Sequence, residues 1–569
     1  MLSAFGPILL WGIALAGLGS LPGVRSLLPD LPASHRFPLR IVSGLALLAA
    51  ASTIWNLFGG VAPAFALAAC LLGLASAWLA RGELGEGLDI TGTAAILVTT
   101  LLLSAVCGYG VMLYDSGLYH LQAIRWVADG ALPLGLANLH ERFGVASLWF
   151  SVPPALSLPG LRGTGAALAS AELTLALALS VWNAIRRLVR AEAGFSDLFL
   201  AAGFVPISWA FLDRSLPSPS PDLAVTFLTI LALAQASAAF EGPADFLALR
   251  RAAFLGLFAA SVKLSAAPTA AALLTVAAVT AFTAATAGPR IARPLGALLV
   301  PALLLAVPWA ARGIVTTGHL LYPLPATRVA NASWAVPRSL VELDRARIEN
   351  WARNPGPKPD HSVPFREWVP PWVRRNVRLL AFPPTPIGVY GPLLLLSTLV
   401  LALRRIRKED RLPLLVPTGI SAAGLAFWFV TAPDPRFAAG LLYGVTVPPL
   451  AAALRSAGLP DWSRRRRVAL ASAGVALALL AVGAGEALRW EKRPSPWQGL
   501  VSPPPSPSTK VRTRRTSSGD EILTPVAGDR CWNAPLPCTP FFRPSLVVGR
   551  DRSGQIRSFS LPADEPAVP

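Results

Sequence analysis

The chain has 569 residues, of which 53% are hydrophobic and only 14% charged, with a mean hydropathy of +0.54. Soluble domains carry about 25% charged residues, so this composition excludes a soluble globular protein and requires a bilayer as solvent. The net charge of +19 does not imply a nucleic-acid partner, because most Lys and Arg residues flank apolar runs in short loops instead of forming one stripe.

A hydrocarbon core about 30 Å thick needs roughly 20 mostly apolar residues per helix. In chain order, apolar spans are predicted at 4–22, 38–58, 61–80, 92–110, 165–185, 197–213, 221–240, 252–264, 266–286, 294–312, 386–403, 412–430, 436–455 and 467–488. The run at 252–264 is short, so the expectation is an all-α polytopic transmembrane bundle of about 13–14 helices over residues 1–489. The 54 prolines and 46 glycines are compatible with it, since neighbouring helices can satisfy freed backbone groups.

Charge assigns the sides. One set of alternate loops holds Arg25, Arg36 and Arg40, then Arg81, then Arg186, Arg187 and Arg190, then Arg250, Arg251, Arg290 and Arg293. It continues with Arg404, Arg405, Arg407, Lys408 and Arg411, then Arg455 and Arg464 to Arg467. The opposite loops hold little beyond Arg214, Lys263 and Arg436. By the positive-inside rule the first set is cytoplasmic. The N-terminus is then outside, and with no basic stretch before the first apolar run a cleaved signal peptide is not expected. Three polar segments face the extracytoplasmic side: 111–164, 313–385 and the tail 490–569.

Cys70 and Cys107 lie in apolar spans and read as small core residues. Cys531 and Cys538 close the sequence Cys-Trp-Asn-Ala-Pro-Leu-Pro-Cys. A disulfide is favoured there over a metal pair, because the tail has no other Cys or His to complete four ligands. Alternation over Thr509–Arg514, with turn signals at Ser517–Asp520 and Ser553-Gly554, predicts a small β-rich appendage behind a Pro/Ser linker at 494–508.

The richest stretch follows the fourth span, from Tyr114-Asp115-Ser116-Gly117-Leu118-Tyr119-His120 to His140-Glu141-Arg142. As a helix it places Asp115, Tyr119, Gln122 and Trp126 on one face and Leu121, Ile124 and Val127 around the other. That predicts a juxtamembrane helix on the membrane surface. A carboxylate here beside cations and aromatics suits a general base for a hydroxyl nucleophile. Arg125 and Arg142 suit phosphate, and Tyr119, His120 and His140 suit a sugar or its polar edge. Taken singly, such Tyr, Trp and His residues are ordinary interface anchors and loop acids are solvated. Their clustering beside a bundle favours a site, with Asp115 as its catalytic residue.

The pattern Asp-x-x-x-Tyr-His-x-x-Ala-x-Arg-x-x-x-x-Gly-x-x-Pro in a large outer loop resembles that of the GT-C superfamily of membrane glycosyltransferases. The resemblance implies a GT-C-like bundle in the bacterial plasma (inner) membrane, with Asp115 as base. It also implies a polyprenyl-phosphate-linked sugar as donor and an extracytoplasmic glycan, lipid or protein acceptor. The pattern differs in having Ser116 where a second acid often stands, and in following the fourth span instead of the first. Together with Ser-Pro-Ser-Pro-Asp at 218–222, Ala-Pro-Asp-Pro-Arg-Phe at 432–437 and the Cys531–Cys538 loop, the chain also resembles an uncharacterised family of bacterial multipass proteins.

Further candidates lie on the same side. Asp222 could steady a nucleophile or cation, though the first turn after Pro221 equally suits a helix cap. Lys263 between apolar runs is costly unless functional or snorkelling. With Arg312 and Arg436 it could receive a lipid-linked phosphate. The 313–385 loop, with Trp334, Trp351, Trp368 and Trp372, is a candidate lid over the acceptor or simply a partly ordered cover. No nucleotide loop, triad signature or zinc spacing is present in the sequence, so no cofactor is expected and a divalent cation is left open. Two rival readings are a transporter or flippase of lipid-linked glycans and a non-enzymatic envelope scaffold. A transferase requires Asp115 and an outer-side cation to face one chamber.

Overall fold

The computed structural model describes residues 2–107, 110–111, 113–159, 165–212, 215–285, 292–353, 362–381, 386–403, 406–459, 462–487 and 507–565. Every predicted apolar span falls on a helix. Among the described residues, eight helices are long and apolar enough to cross a membrane. They are Ala33–Asn56, Ile90–Cys107, Gly165–Arg190, Pro221–Ala238, Leu264–Thr283, Gly296–Thr317, Lys408–Thr431 and Pro435–Ser456. Other predicted spans fall on the shorter apolar helices Ala4–Ser20, Pro63–Leu79, Phe195–Phe211 and Leu393–Ala402, on Phe246–Val262, whose 17 residues include Arg250 and Arg251, or on Arg464–Ala487.

Burial sorts these helices into a centre and a rim. The apolar windows of Ala33–Asn56, Gly165–Arg190 and Pro221–Ala238 are 83% buried, against 33% for Ile90–Cys107, Leu264–Thr283 and Gly296–Thr317. A helix apolar on all sides belongs inside a bundle or against lipid. Here the first three form the core and the others turn much of their surface outward. Small residues set the closest approaches: a Cβ on Gly17 would lie 1.9 Å from the Gly73 carbonyl oxygen. Such contacts let helix backbones touch where no hydrophobic force drives them together.

The two ends of the bundle differ in chemistry. At one end, Arg25 pairs with Glu83 at 2.8 Å, Arg36 pairs with Glu86, Arg186 pairs with Asp89, and Arg187 pairs with Asp197 at 2.8 Å. Arg250 donates to the Ser26 carbonyl and Arg251 to that of Pro29, while Arg455 pairs with Asp410 at 2.8 Å. The alternate basic loops therefore gather on one face, as the charge pattern requires. Arg214, Arg290, Arg404 and Arg405 lie outside the described residues.

The opposite face carries the large polar segments. Residues 113–159, the Arg338–Arg353 helix and the tail share one core that includes Ala123, Trp126, Leu136, Phe143, Leu340 and Phe559. The tail forms two antiparallel pairs, Val511–Arg515 with Glu521–Pro525 and Val547–Arg550 with Ile556–Ser560. Phe559 N donates to the Leu134 carbonyl and Leu134 N to that of Arg557, both at 2.9 Å, so the tail is stitched to the loop that follows the fourth span. Cys531 and Cys538 are joined in a disulfide. Most of the Pro/Ser linker, at 494–506, lies outside the described residues.

The juxtamembrane helix departs from expectation. Residues Ser116–His120 form a π-helical turn, with Leu121 N bonded to Ser116 O, and an α-helix follows over Leu121–Asp129. Its buried residues, Gln122, Ala123, Trp126 and Val127, are covered in part by the tail: the Trp126 and Phe559 rings meet edge to face at 5.7 Å. The element packs as a strut between bundle and tail.

Candidate functional site

Five charged side chains meet where the bundle joins these outer segments. Asp115 opens the π-helical turn. Asp222 lies in the first turn of Pro221–Ala238, where the cap is Ser220, whose Oγ accepts from Asp222 N at 3.4 Å. The capping role weighed for Asp222 thus falls to Ser220, which frees the Asp222 carboxylate. Lys263 ends Phe246–Val262 in extended backbone. Asp434 and Arg436 come from the Asp-Pro-Arg turn, in which Asp434 Oδ1 accepts from Arg436 N at 3.0 Å.

Arg436 is the hub. Its Nη1 donates to Asp115 Oδ2 at 2.9 Å, and its Nε lies 3.7 Å from both Asp222 Oδ2 and Asp434 Oδ2. Lys263 Nζ pairs with Asp222 Oδ1 and sits 3.3 Å above the Phe437 ring. The Arg436 guanidinium lies 4.7 Å from the Trp351 ring and 5.0 Å from that of Phe437. The three carboxylates and Lys263 are each 20–21% exposed and Arg436 is 42% exposed. The cluster is thus partly dehydrated yet open to a ligand.

Around it, Ser116 Oγ and Ser218 Oγ are 2.8 Å apart, and Ser170 Oγ donates to the Ser218 carbonyl at 3.0 Å. These bonds tie the Asp115 turn to the Ser-Pro-Ser-Pro-Asp turn. His120 is buried, which pushes its pKa down to about 4 despite the nearby Asp115 and Asp222 carboxylates; it is neutral at pH 7. Tyr119 is pushed up by burial and by the Asp115 charge, and its ring meets that of His120 edge to face at 4.3 Å.

The outer helices Arg338–Arg353 and Phe365–Ala381 lean on the same turn. Trp372 Nε1 donates to the Pro433 carbonyl and Trp428 Nε1 to that of Asp434, both at 2.8 Å. Arg353 Nη2 donates to the Val430 carbonyl at 3.0 Å. A cleft of about 680 Å³ runs along Arg338, Glu342, Arg345 and Glu349. Those side chains form i,i+4 ion pairs on a hydrated helix face, so the charge cluster is the stronger candidate site.

The sequence candidates divide accordingly. Asp115, Asp222, Lys263 and Arg436 converge, with Tyr119 and His120 beside them. Arg125 does not join them: it pairs with Asp129 and donates to the carbonyls of Asn533 and Ala534, each at 3.0 Å, so it holds the tail. His140 and Arg142 belong to a second buried cluster with Glu141, Asp344 and Tyr322. There His140 Nδ1 accepts from Arg142 N at 3.2 Å, and burial pushes His140 down to about 4. Burial opposes the Arg142 charge, but the carboxyls of Asp344 and Glu141 outweigh it and raise its pKa. Arg312 is 2% exposed, with Nε and Nη1 meeting no hydrogen-bond partner among the described residues; it makes no ion pair there with the cluster's carboxylates.

Sequence reasoning passed over Asp434 and Phe437. The Asp-Pro-Arg order before a helical run is a capping signal that points to Asp434, whereas no local pattern announces a ring beneath Lys263. Among the described residues no group of three or more His, Cys, Asp or Glu side chains could hold a metal ion.

No curated protein and no solved structure matches the chain. A family model does, over residues 1–443, a range that holds all five charged residues of the cluster and excludes the tail. By that match over most of its length, the chain belongs to the family described as Domain of unknown function (DUF8201).

Proposed function

We propose that this protein is a membrane glycosyltransferase of GT-C type, moving a sugar from a polyprenyl-phosphate donor to an acceptor hydroxyl on the extracytoplasmic side. The observation that carries the reading is the ion pair between Asp115 and Arg436, extended through Asp222 to Lys263 at one end of the bundle. A base and two cations are thereby held in one partly exposed cluster.

The chemistry follows from competition for Arg436. A phosphate reaching the cluster matches the guanidinium fork better than a single carboxylate contact does. Arg436 turning to phosphate releases Asp115, whose carboxylate then takes the proton of the acceptor O–H. The acceptor oxygen forms a bond to the anomeric carbon, and the bond from that carbon to the phosphate oxygen breaks. The electron pair leaves with the polyprenyl phosphate, whose charge Arg436 and Lys263 stabilise. Trp351 and Phe437 supply apolar faces suited to a sugar ring.

The side assignment rests on the positive-inside pattern and on the Cys531–Cys538 disulfide, since disulfides persist in oxidising compartments. A flippase would place its charges near the bilayer midplane, whereas Asp222 and Lys263 stand at helix ends. The test is transfer or hydrolytic release of a radiolabelled hexose from polyprenyl phosphate by purified protein. Asp115→Asn is expected to lower turnover by roughly 10²–10⁴-fold, the usual contribution of a general base. Equal turnover by the variant would remove Asp115 from the base role, and no release by the unmodified protein from any such donor would remove the reaction.

A further inference from the structure

The tail contacts the Asp115 turn from both sides through one short stretch. Tyr114, immediately before Asp115, donates its hydroxyl hydrogen to Asp529. Two residues after Asp115, the Gly117 carbonyl accepts from Trp532 N at 2.8 Å. The Trp532 indole lies so close that a Cβ on Gly117 would come within 2.7 Å of it. Gln122 Nε2 then donates to the carbonyls of Trp532 and Ala534 at 3.0 and 2.8 Å. Arg530 stands 5.5 Å from the Tyr114 ring and 5.4 Å from that of Trp532.

The stretch making these contacts is braced twice. The Cys531–Cys538 disulfide closes a loop over its Trp532–Ala534 part, and Leu523 N to the Pro537 carbonyl and Thr539 N to the Leu523 carbonyl, at 3.0 Å each, tie that loop to the tail strand Glu521–Pro525. Trp532 has a φ of +47, a left-handed conformation that bulky residues rarely hold unless their surroundings impose it. The turn it touches is also irregular. A π-helical turn gives poorer backbone geometry than an α-turn and recurs at functional sites.

We propose that the Cys531–Cys538 loop is a positioning clamp for Asp115, with Trp532 as its contact residue, so that the charge cluster is complete only while the tail is docked. The clamp fixes the π-helical turn, and the turn fixes the distance from Asp115 to Arg436. It rests on the Asp115 cluster being the functional site, not on the reaction assigned to it. Trp532 and the disulfide are positioning elements and touch no reacting atom.

The test is amide hydrogen exchange of the full-length protein in detergent, comparing the unmodified chain with Trp532→Ala, Trp532→Phe and Cys531→Ser/Cys538→Ser. Exchange in peptides spanning 113–122 is expected to rise about tenfold in Trp532→Ala, which removes the indole packed against Gly117, and in the double serine variant, which loosens the loop that holds it. Trp532→Phe should recover most of the protection, and peptides from Pro221–Ala238 should not change. With hexose release as a second readout, Trp532→Ala should lower the turnover rate while leaving half-saturation by donor unchanged, because Arg436 and Lys263 are untouched. Unchanged exchange at 113–122, an equal rise throughout the bundle, or normal turnover despite faster exchange would each overturn the clamp. If the unmodified protein releases no sugar, the transferase reading fails, and the exchange data alone decide this proposal.

Discussion

Arg436 holds together three acids that would otherwise repel one another, and a lysine could not replace it. A guanidinium presents donors in a planar fork and stacks on aromatic faces. Here it reaches Asp115 through Nη1, faces Asp222 and Asp434 through Nε and lies near two rings. Asp344, in the second cluster, makes no ion pair among the described residues. Burial pushes its pKa up to about 7, against the positive field of Arg142, while Glu141, Tyr322 and Arg347 also face it; Arg543 lines the same small cavity. An unfolded Asp titrates near 3.9, so between about pH 4 and pH 7 the folded chain holds a proton that the unfolded chain lacks. The Asp344 contribution to stability therefore falls as pH rises through that window. His140 and His120, each pushed down to about 4 by burial, act in the opposite sense: up to about pH 6.5 the unfolded chain holds protons that the folded one lacks, so their contribution rises with pH. Asp344→Asn should remove the Asp344 contribution and exceed the unmodified protein's stability at pH 8 by on the order of 4 kcal/mol. Thermal unfolding of both proteins between pH 5 and 8 reads it as their difference, and the same pH dependence in the two would mean that Asp344 does not carry the proton. Asp115, Asp222, Lys263 and Arg436 were legible as candidates because polar residues at the ends of apolar runs stand out in such a chain. The role of Arg125 was not, since its carbonyl partners are 408 and 409 residues away.

Hydropathy finds helices by the length of their apolar runs, and it located the spans here while saying nothing of how they touch. The helix pair Leu2–Ser20 and Pro63–Leu79 shows the difference. Gly17 reads in sequence as one small residue among many, yet its missing Cβ is what lets it approach the Gly73 carbonyl. Gly17→Ala must push these helices apart, at a cost of about 1–3 kcal/mol for overpacking. Gly6, with nothing within 4 Å of its Cβ position, should accept alanine without loss. Comparing the melting temperatures of the two variants checks this, and equal melting would contradict the close approach. The π-helical turn was invisible for a related reason: i→i+4 and i→i+5 bonding differ by one residue of phase. Here the choice between them coincides with Trp532 and Ser218, tertiary contacts that no local pattern encodes.

At the scale of the whole molecule the two ends of the bundle make opposite demands on the chain, and that opposition is testable without any substrate. The arginine-rich loops pair with Glu83, Glu86, Asp89 and Asp197 on one face. The disulfide-bearing tail and the Asp115 cluster occupy the other. Retention of basic loops on the cytoplasmic side and persistence of a disulfide outside it are independent physical constraints, and both give the same orientation. Two single substitutions separate the faces. Gly82→Cys places a thiol on an exposed site with open space around it, and Arg552→Cys places one on the exposed second turn of the tail. Background labelling should be low, since Cys70 and Cys107 are buried and Cys531 is bonded to Cys538. A membrane-impermeant maleimide added to intact cells should label the Arg552→Cys protein and reach Gly82→Cys only after the membrane is opened. The reverse pattern would put the Asp115 cluster on the cytoplasmic face. There neither the disulfide nor an extracytoplasmic acceptor could be maintained, and the transferase reading would fall with the orientation.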